Sequence, residues 1–103
     1  MVLIAGARQV SRQTLPRAVG QSRLTMASEE ELLRVTGYAM SAVSPFGLQT
    51  PMPILADVSA FVPTEVSIGS GVRGTTVILK SADLKRALGA LQVGHFAAPR
   101  ENQ

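Results

Sequence analysis

The sequence predicts a single α/β domain of the mixed α+β type, with helices packed on a mixed, mostly antiparallel β-sheet or partial barrel. Three observations lead to this class. Short β-rich segments alternate with helical ones along the chain. Two β-branched runs, 65–68 and 75–79, flank a glycine-rich turn and suggest a hairpin. A length of 103 residues suits one domain. We place that domain at residues 1–96 and expect a disordered tail at 97–103.

Composition excludes several kinds of site. The chain is 46% apolar with one Tyr, three Phe and no Trp, which predicts a mostly aliphatic core. The absence of cysteine excludes disulfides, thiolate catalysis and thiolate zinc sites, and it fits a reducing, cytoplasmic location. His95 is the only histidine, so a His-based relay would need residues from outside the chain. No apolar run approaches the ~18–20 residues of a transmembrane helix, and we expect no membrane partner.

Positive charge is concentrated at the start of the chain. Four arginines precede the first acid, Glu29: Arg8, Arg12, Arg17 and Arg23. Such a start resembles a transit peptide, but the apolar run 2–5 followed by Gly6 favours a buried strand. The arginines either contact RNA phosphates or form a solvated basic face, and charge alone favours neither.

Strands are predicted at residues 2–5, 23–27, 54–57, 65–68, 75–79 and 91–96. A first helix, 12–19, is expected to be capped by Ser11 and to end at Gly20. A helical turn is expected at 58–61.

The best-specified helix follows Ser28, because Ser28 and Glu31 form a capping box and Gly37 suits the end of the helix. A last helix is expected to be capped by Ser81 and to stop before Gly89.

Residues 38–53 break every periodicity, since three prolines and Gly47 fall within them. The segment is too apolar for a disordered linker and too long for an ordinary connection, so we predict an ordered, functional loop. Its serines, Ser41 and Ser44, have no base near them in sequence, which disfavours a serine nucleophile. Backbone amides held by the prolines could instead bind a carbonyl oxygen as charge develops on it.

The turn at residues 69–74 has the spacing G-x-G-x-x-G. A dinucleotide site would need a helix after Gly74 and an acidic residue ~20 positions on. A β-branched run follows instead, so we predict a hairpin turn whose glycines allow another backbone or a ligand to approach closely.

Five short segments in order resemble one family: T-G-Y at 36–38, V-S-P-F-G at 43–47, Pro53 with Asp57, the glycine turn, and S-A-D-L at 81–84. The chain is similar from about residue 2 to residue 95 to the YbaK and ProX (prolyl-tRNA-synthetase-associated) domains, which hydrolyse mischarged aminoacyl-tRNA. The T-G-Y and S-P-F-G segments are the most specific.

The resemblance implies an ester-cleaving site that uses no metal and no cofactor. Its partners would be the acceptor end of tRNA and an aminoacyl-tRNA synthetase. The family's catalytic G-x-x-x-P loop corresponds here to Ser41, Ala42, Val43, Ser44 and Pro45. By the same resemblance, substrate contacts are expected from Phe46, Gly47, Gly69, Ser70, Gly71, Arg73 and Gly74.

Two departures from the family pattern bear on activity. Ser41 stands where the family has glycine, and serine resists a positive φ. The family's lysine lies on a strand upstream of the one matching residues 2–5, and Lys80 and Lys85 fall in other elements. Either the start is misassigned, the chain is truncated, or the domain is non-catalytic. We therefore expect weak deacylation, and either low stability or self-association. The alternatives are a tRNA- or protein-binding remnant and a structural fragment.

Overall fold

A computed structural model describes residues 1–6, 8–21 and 24–99. Within them the helices are α1 (Thr14–Ala18), α2 (Glu29–Thr36) and α3 (Ser81–Leu88), with a 3-10 helix at Val58–Phe61. The strands are β1 (Val2–Leu3), β2 (Arg8–Val10), β3 (Leu55–Asp57), β4 (Glu65–Gly69), β5 (Thr76–Lys80), β6 (Gln92–Gly94) and β7 (Ala97–Pro99). None of the helices in these ranges is long and apolar enough to cross a membrane.

The strands form three small sheets rather than one. Strands β1, β3 and β6 make a parallel sheet, β2 pairs antiparallel with β7, and β4 pairs antiparallel with β5. The α+β class and the hairpin are therefore confirmed, whereas no closed barrel forms in the described ranges. The parallel sheet arises because long connections containing helices join its strands, and such crossovers return the chain in the same direction.

The main core is small. Leu15, Leu55 and Phe96 are buried against one another, with Val2 and Val10 packed at their edge. These residues come from α1, β1, β2 and β3 and from the segment after β6. Sequence-distant segments therefore meet in one cluster.

Helix α2 confirms the capping box. The Ser28 hydroxyl accepts from the Glu31 amide at 3.2 Å, and the Glu31 carboxylate accepts from the Ser28 amide at 3.1 Å. The hydrogen bond that the Ser28 amide donates to the Glu31 carboxylate is the largest cause of the lowered pKa of Glu31. The helix ends at Gly37 in the left-handed conformation, with φ +82°.

The first helix is shorter than predicted, and its start is held by Ser11, whose hydroxyl accepts from the Thr14 amide at 3.1 Å. Strand β2 was not predicted. No strand forms at residues 24–27, and Arg23, the first residue of that expected strand, lies outside the described ranges.

Two predictions for the last third of the chain are wrong. Ser81 does not cap α3, because Lys80 occupies the cap position. The buried Ser81 hydroxyl instead donates to the Pro63 carbonyl oxygen at 2.5 Å and so ties the helix to the start of β4. Ala97–Pro99, expected to be disordered, form β7 because β2 supplies an antiparallel partner. Residues 100–103 lie outside the described ranges.

Candidate active site

The end of α2 positions the long loop. The buried Thr36 hydroxyl donates to the Leu32 carbonyl at 2.6 Å and accepts from the Tyr38 amide at 3.0 Å. The carbonyl oxygen of Thr36 then accepts from the Gln49 amide at 3.0 Å. The T-G-Y segment thus ends the helix and fixes both ends of the loop.

Tyr38 holds the middle of the same loop. Its hydroxyl donates to the Phe46 carbonyl, and the Phe46 amide donates to the Ser44 hydroxyl at 3.1 Å. Ala42, Ser44 and Pro45 are buried. The loop is therefore ordered, as its composition predicted, and its order comes from hydrogen bonds that no periodicity reveals.

Ser41 adopts a glycine-like conformation, with φ +76°. Among the described residues it is the one non-glycine residue with positive φ. The serine was expected to resist this geometry, yet the surrounding hydrogen bonds hold it there. A left-handed serine costs roughly 1–2 kcal/mol.

We expect Ser41→Gly to raise the free energy of unfolding by about 0.5–1 kcal/mol, because relief of the strain exceeds the added freedom of the unfolded chain. Urea denaturation measures this. Ser67→Gly, in strand β4, is the matched control and should lower stability by a similar amount. Equal losses in both variants would contradict the strain argument.

The glycine turn packs directly on the 41–45 loop. The Gly71 amide donates to the Ala42 carbonyl at 2.9 Å. A Cβ on Gly69 would lie 2.0 Å from the Val43 carbonyl oxygen, and one on Gly71 would lie 2.9 Å from Tyr38 Cε1. The expected close approach to another backbone is therefore present, and the neighbouring backbone is the loop itself.

The tip of the turn is closed by Ser70, whose hydroxyl donates to the Thr75 carbonyl at 2.7 Å and accepts from the Val72 amide at 3.2 Å. Arg73 is exposed. Gly74 has φ +80° and open space where a Cβ would stand. Ser70 therefore serves the turn itself, and Arg73 and Gly74 lie on its outer side.

A cavity of about 450 Å³ lies beside this junction. Val43, Pro45 and Gly69 contribute to its wall, together with residues 1–6, the middle of the 3-10 helix and strand β4. The remaining predicted site residues are not on the wall: Ser41, Ala42, Ser44, Phe46, Gly47, Ser70, Gly71, Arg73 and Gly74. A second hollow, between residues 53–55 and 90–92, contains none of the predicted residues.

The amides of the loop differ in whether they have an acceptor. Ala42 donates to the Ala39 carbonyl at 3.0 Å, and Pro45 has no N–H. Within the described ranges, nothing accepts a hydrogen bond from the amides of Val43 and Ser44. Unpaired adjacent amides are the groups that an oxyanion-binding loop requires.

Asp57 is predicted from the sequence only as part of the family pattern, without a role in the site. Its buried carboxylate accepts from the Ser59 amide and hydroxyl, from the Phe96 amide at 2.8 Å and from the Ala97 amide at 3.0 Å. Burial alone would raise the pKa of Asp57, but these hydrogen bonds outweigh it, and the pKa falls below its ordinary value. Asp followed two residues later by Ser signals the turn, whereas the contacts to Phe96 and Ala97 leave no trace in the sequence.

Lysines lie away from the cavity wall. Lys80 is exposed at the end of β5, and Lys85 places its Nζ 5.8 Å from the centre of the Phe61 ring. In the described part of the chain, no group of three or more His, Asp or Glu side chains could hold a metal ion.

Comparison with known proteins gives one consistent result. A family model described as an aminoacyl-tRNA editing domain matches residues 1–87. The multifunctional Ser/Thr-tRNA deacylase ProXp-y of Escherichia coli (strain K12) is 29% identical over 87 residues, 84% of this chain and 52% of that protein. The proline–tRNA ligase of Trichlorobacter lovleyi is 27% identical over 70 residues, 68% of this chain and 12% of the ligase. The chain spans about half the length of the deacylase.

Solved structures share the fold. A proposed trans-editing enzyme for prolyl tRNA synthetase superposes with a TM-score of 0.82 at 27% identity, covering 94% of this chain and 60% of the other. The hypothetical protein APE2540 superposes with a TM-score of 0.81 at 19% identity, covering 94% and 65%, and shows the fold alone.

Proposed function

Because the chain belongs to the aminoacyl-tRNA editing domain family, we propose that it binds the acceptor end of a mischarged tRNA and hydrolyses the aminoacyl ester. The proposal places the protein in the cytoplasm, where tRNA is charged, and beside an aminoacyl-tRNA synthetase. Prolyl-tRNA synthetase is the candidate, since a proline–tRNA ligase and a proposed trans-editing enzyme are among the similar proteins.

One observation carries the proposal: the unpaired amides of Val43 and Ser44 belong to a loop that lines the cavity and is buttressed by the glycine turn. Water attacks the ester carbonyl, and the negative charge that develops on its oxygen is stabilised by those two N–H groups. The carbon–oxygen bond to the ribose then breaks, and the ribose oxygen takes up the proton that the attacking water loses, so that the free amino acid and the ribose hydroxyl are the products. A preorganised donor of this kind typically contributes ~10²–10³ in rate.

The outer residues of the turn have a proposed role in binding. Arg73 is exposed on the outer side of the turn, beside Gly74, so its guanidinium can contact a phosphate of the acceptor strand. Phe46 and Gly47 hold the loop through Tyr38, since a Cβ on Gly47 would lie 3.0 Å from the tyrosine hydroxyl. Their contribution to substrate contact is therefore indirect.

The direct test is release of amino acid from mischarged tRNA. Alanyl-, cysteinyl-, seryl- and threonyl-tRNA are compared with correctly charged prolyl-tRNA(Pro), and spontaneous ester hydrolysis is subtracted. We expect release above that background for at least one mischarged substrate and none for prolyl-tRNA(Pro). Background rates for the whole panel would reject the hydrolytic function.

A second candidate, tRNA binding without catalysis, is favoured by one observation: within the described ranges, no lysine lines the cavity. It predicts saturable binding of tRNA with no release of amino acid. Measuring binding and release on the same samples separates the two functions.

Self-association is also proposed. Val62 is 79% exposed and Ile78 is 68% exposed, and both are large apolar side chains that a second copy could cover.

A further inference from the structure

Outside the candidate site, three exposed arginines lie within ten residues of the chain: Arg8 in β2, Arg12 before α1 and Arg17 in α1. We call the exposed area to which they contribute the basic surface. We infer that this basic surface binds RNA phosphates on the strand that leads away from the ester. The inference rests on the proposed function, because it assumes that the ester is presented at the cavity.

The charge of this surface is not neutralised within its own region. No acidic residue occurs before Glu29. In the described ranges the one ion pair joins Arg86 to Asp83, and it involves none of the three arginines. Exposed, unpaired guanidinium groups attract polyanions and release bound counterions when they meet phosphates.

The backbone that carries these arginines is held in place by strand pairing and hydrogen bonds. Arg8 pairs with Pro99 across β2 and β7, and the Ser11 amide donates to the Phe96 carbonyl at 2.7 Å. Leu15 is buried in the core cluster between Arg12 and Arg17 in sequence. A surface held in this way loses less backbone freedom on binding than a flexible tail would.

Its position relative to the cavity fits an RNA strand. Gly6 belongs to the cavity wall, and Arg8 follows two residues later. Two Cα–Cα steps of ~3.8 Å place the Arg8 Cα within about 8 Å of the Gly6 Cα. In a tRNA the ester is at the 3′ end, and each preceding nucleotide adds one phosphate. Arginine is suited to these phosphates because its planar guanidinium binds their oxygens in pairs.

The test compares two triple variants with the same net charge. Arg8, Arg12 and Arg17 are replaced by Gln in the first, and Arg34, Lys80 and Arg86, which are also exposed, in the second. Binding of uncharged tRNA(Pro) is measured from about 50 to about 200 mM salt. Each phosphate contact contributes roughly 0.7–0.9 to the slope of log Kd against log salt concentration.

We expect the first variant to lower the slope of log Kd against log salt concentration by about 2–3. Its loss of affinity across this range is then roughly 15–60-fold smaller than that of the wild type. The second variant should lower the slope by less than about 1. An Arg-to-Lys version of the first triple should keep most of the slope, which shows that charge rather than folding is responsible. Equal slopes for both Gln triples would overturn the inference.

The remaining outcomes separate the surface from the catalytic proposal. Loss of slope without any hydrolysis by the wild type would support the surface and count against the deacylase. Normal hydrolysis with an unchanged slope would overturn the surface alone. Phosphatidylserine vesicles provide the last comparison, because loss of vesicle binding with tRNA binding unchanged would assign the arginines to a membrane surface and overturn the RNA assignment.

Discussion

Gly69→Ala should abolish most of the proposed deacylase activity and destabilise the fold, because the new Cβ would lie 2.0 Å from the Val43 carbonyl oxygen. The oxygen is a backbone atom and the backbone of residue 69 fixes the position of the Cβ, so no side chain can rotate away to make room. To remove this steric overlap, the 41–45 loop and the glycine turn must move apart by an ångström or more. Such a displacement of a catalytic group costs on the order of 10²-fold in rate, and the overpacking costs about 1–3 kcal/mol.

Gly20→Ala is the control for a general loss of stability. Gly20 has φ +72° and open space at its Cβ position, and it lies outside the candidate site. It should lose about 1 kcal/mol through backbone strain while its turnover stays near that of the wild type at a temperature where both are folded. Comparable turnover for Gly69→Ala and the wild type would show that the contact between loop and turn does not position the amides proposed to be catalytic.

How much of this structure could be predicted depends on whether the signal is local. The α2 helix was predicted fully because Ser28, Glu31 and Gly37 satisfy the helix ends within a few residues of each other. The β4–β5 hairpin was predicted for the same reason, since its turn chemistry adjoins both strands. Strand β7 and the parallel sheet depend on partners distant in the chain, and their sequences are too short to specify a partner.

For the candidate site, too, local features could be predicted and contacts between distant segments could not. The family resemblance assigned the 41–45 loop and the glycine turn to one substrate site, and the hydrogen bond from Gly71 to Ala42 joins the two segments. The motif could not show that Tyr38 would contact both segments, through its hydroxyl on Phe46 and its ring against Gly71. Nor could it show that only three of the twelve predicted residues would line the cavity, because exposure depends on the packing of β1 and β4 around them.

Asp57→Asn should cause a large loss in the free energy of unfolding. The carboxylate accepts hydrogen bonds from Ser59, Phe96 and Ala97, and so joins β3, the 3-10 helix and the start of β7. An amide retains one accepting oxygen and brings an NH₂ group against donors. Since hydrogen bonds to a charged group contribute about 1.5–3 kcal/mol each, we expect a loss of about 2–4 kcal/mol at neutral pH.

The pH dependence identifies the carboxylate as the cause. The pKa of Asp57 in the folded protein lies below the ordinary value of 3.8 that it regains on unfolding. Its contribution is therefore present above that value and is lost as the pH falls through the folded pKa, because the unfolded state then binds the proton more readily. Urea unfolding from pH 7 towards pH 2 should show a steep loss of stability below about pH 4 in the wild type and a shallower loss in Asp57→Asn.

The lowered pKa of Glu31 acts in the same direction, so Glu31→Gln is the control that isolates the capping contribution. An acid-induced loss in Asp57→Asn equal to that of the wild type would show that this carboxylate does not join the three elements as a charged group.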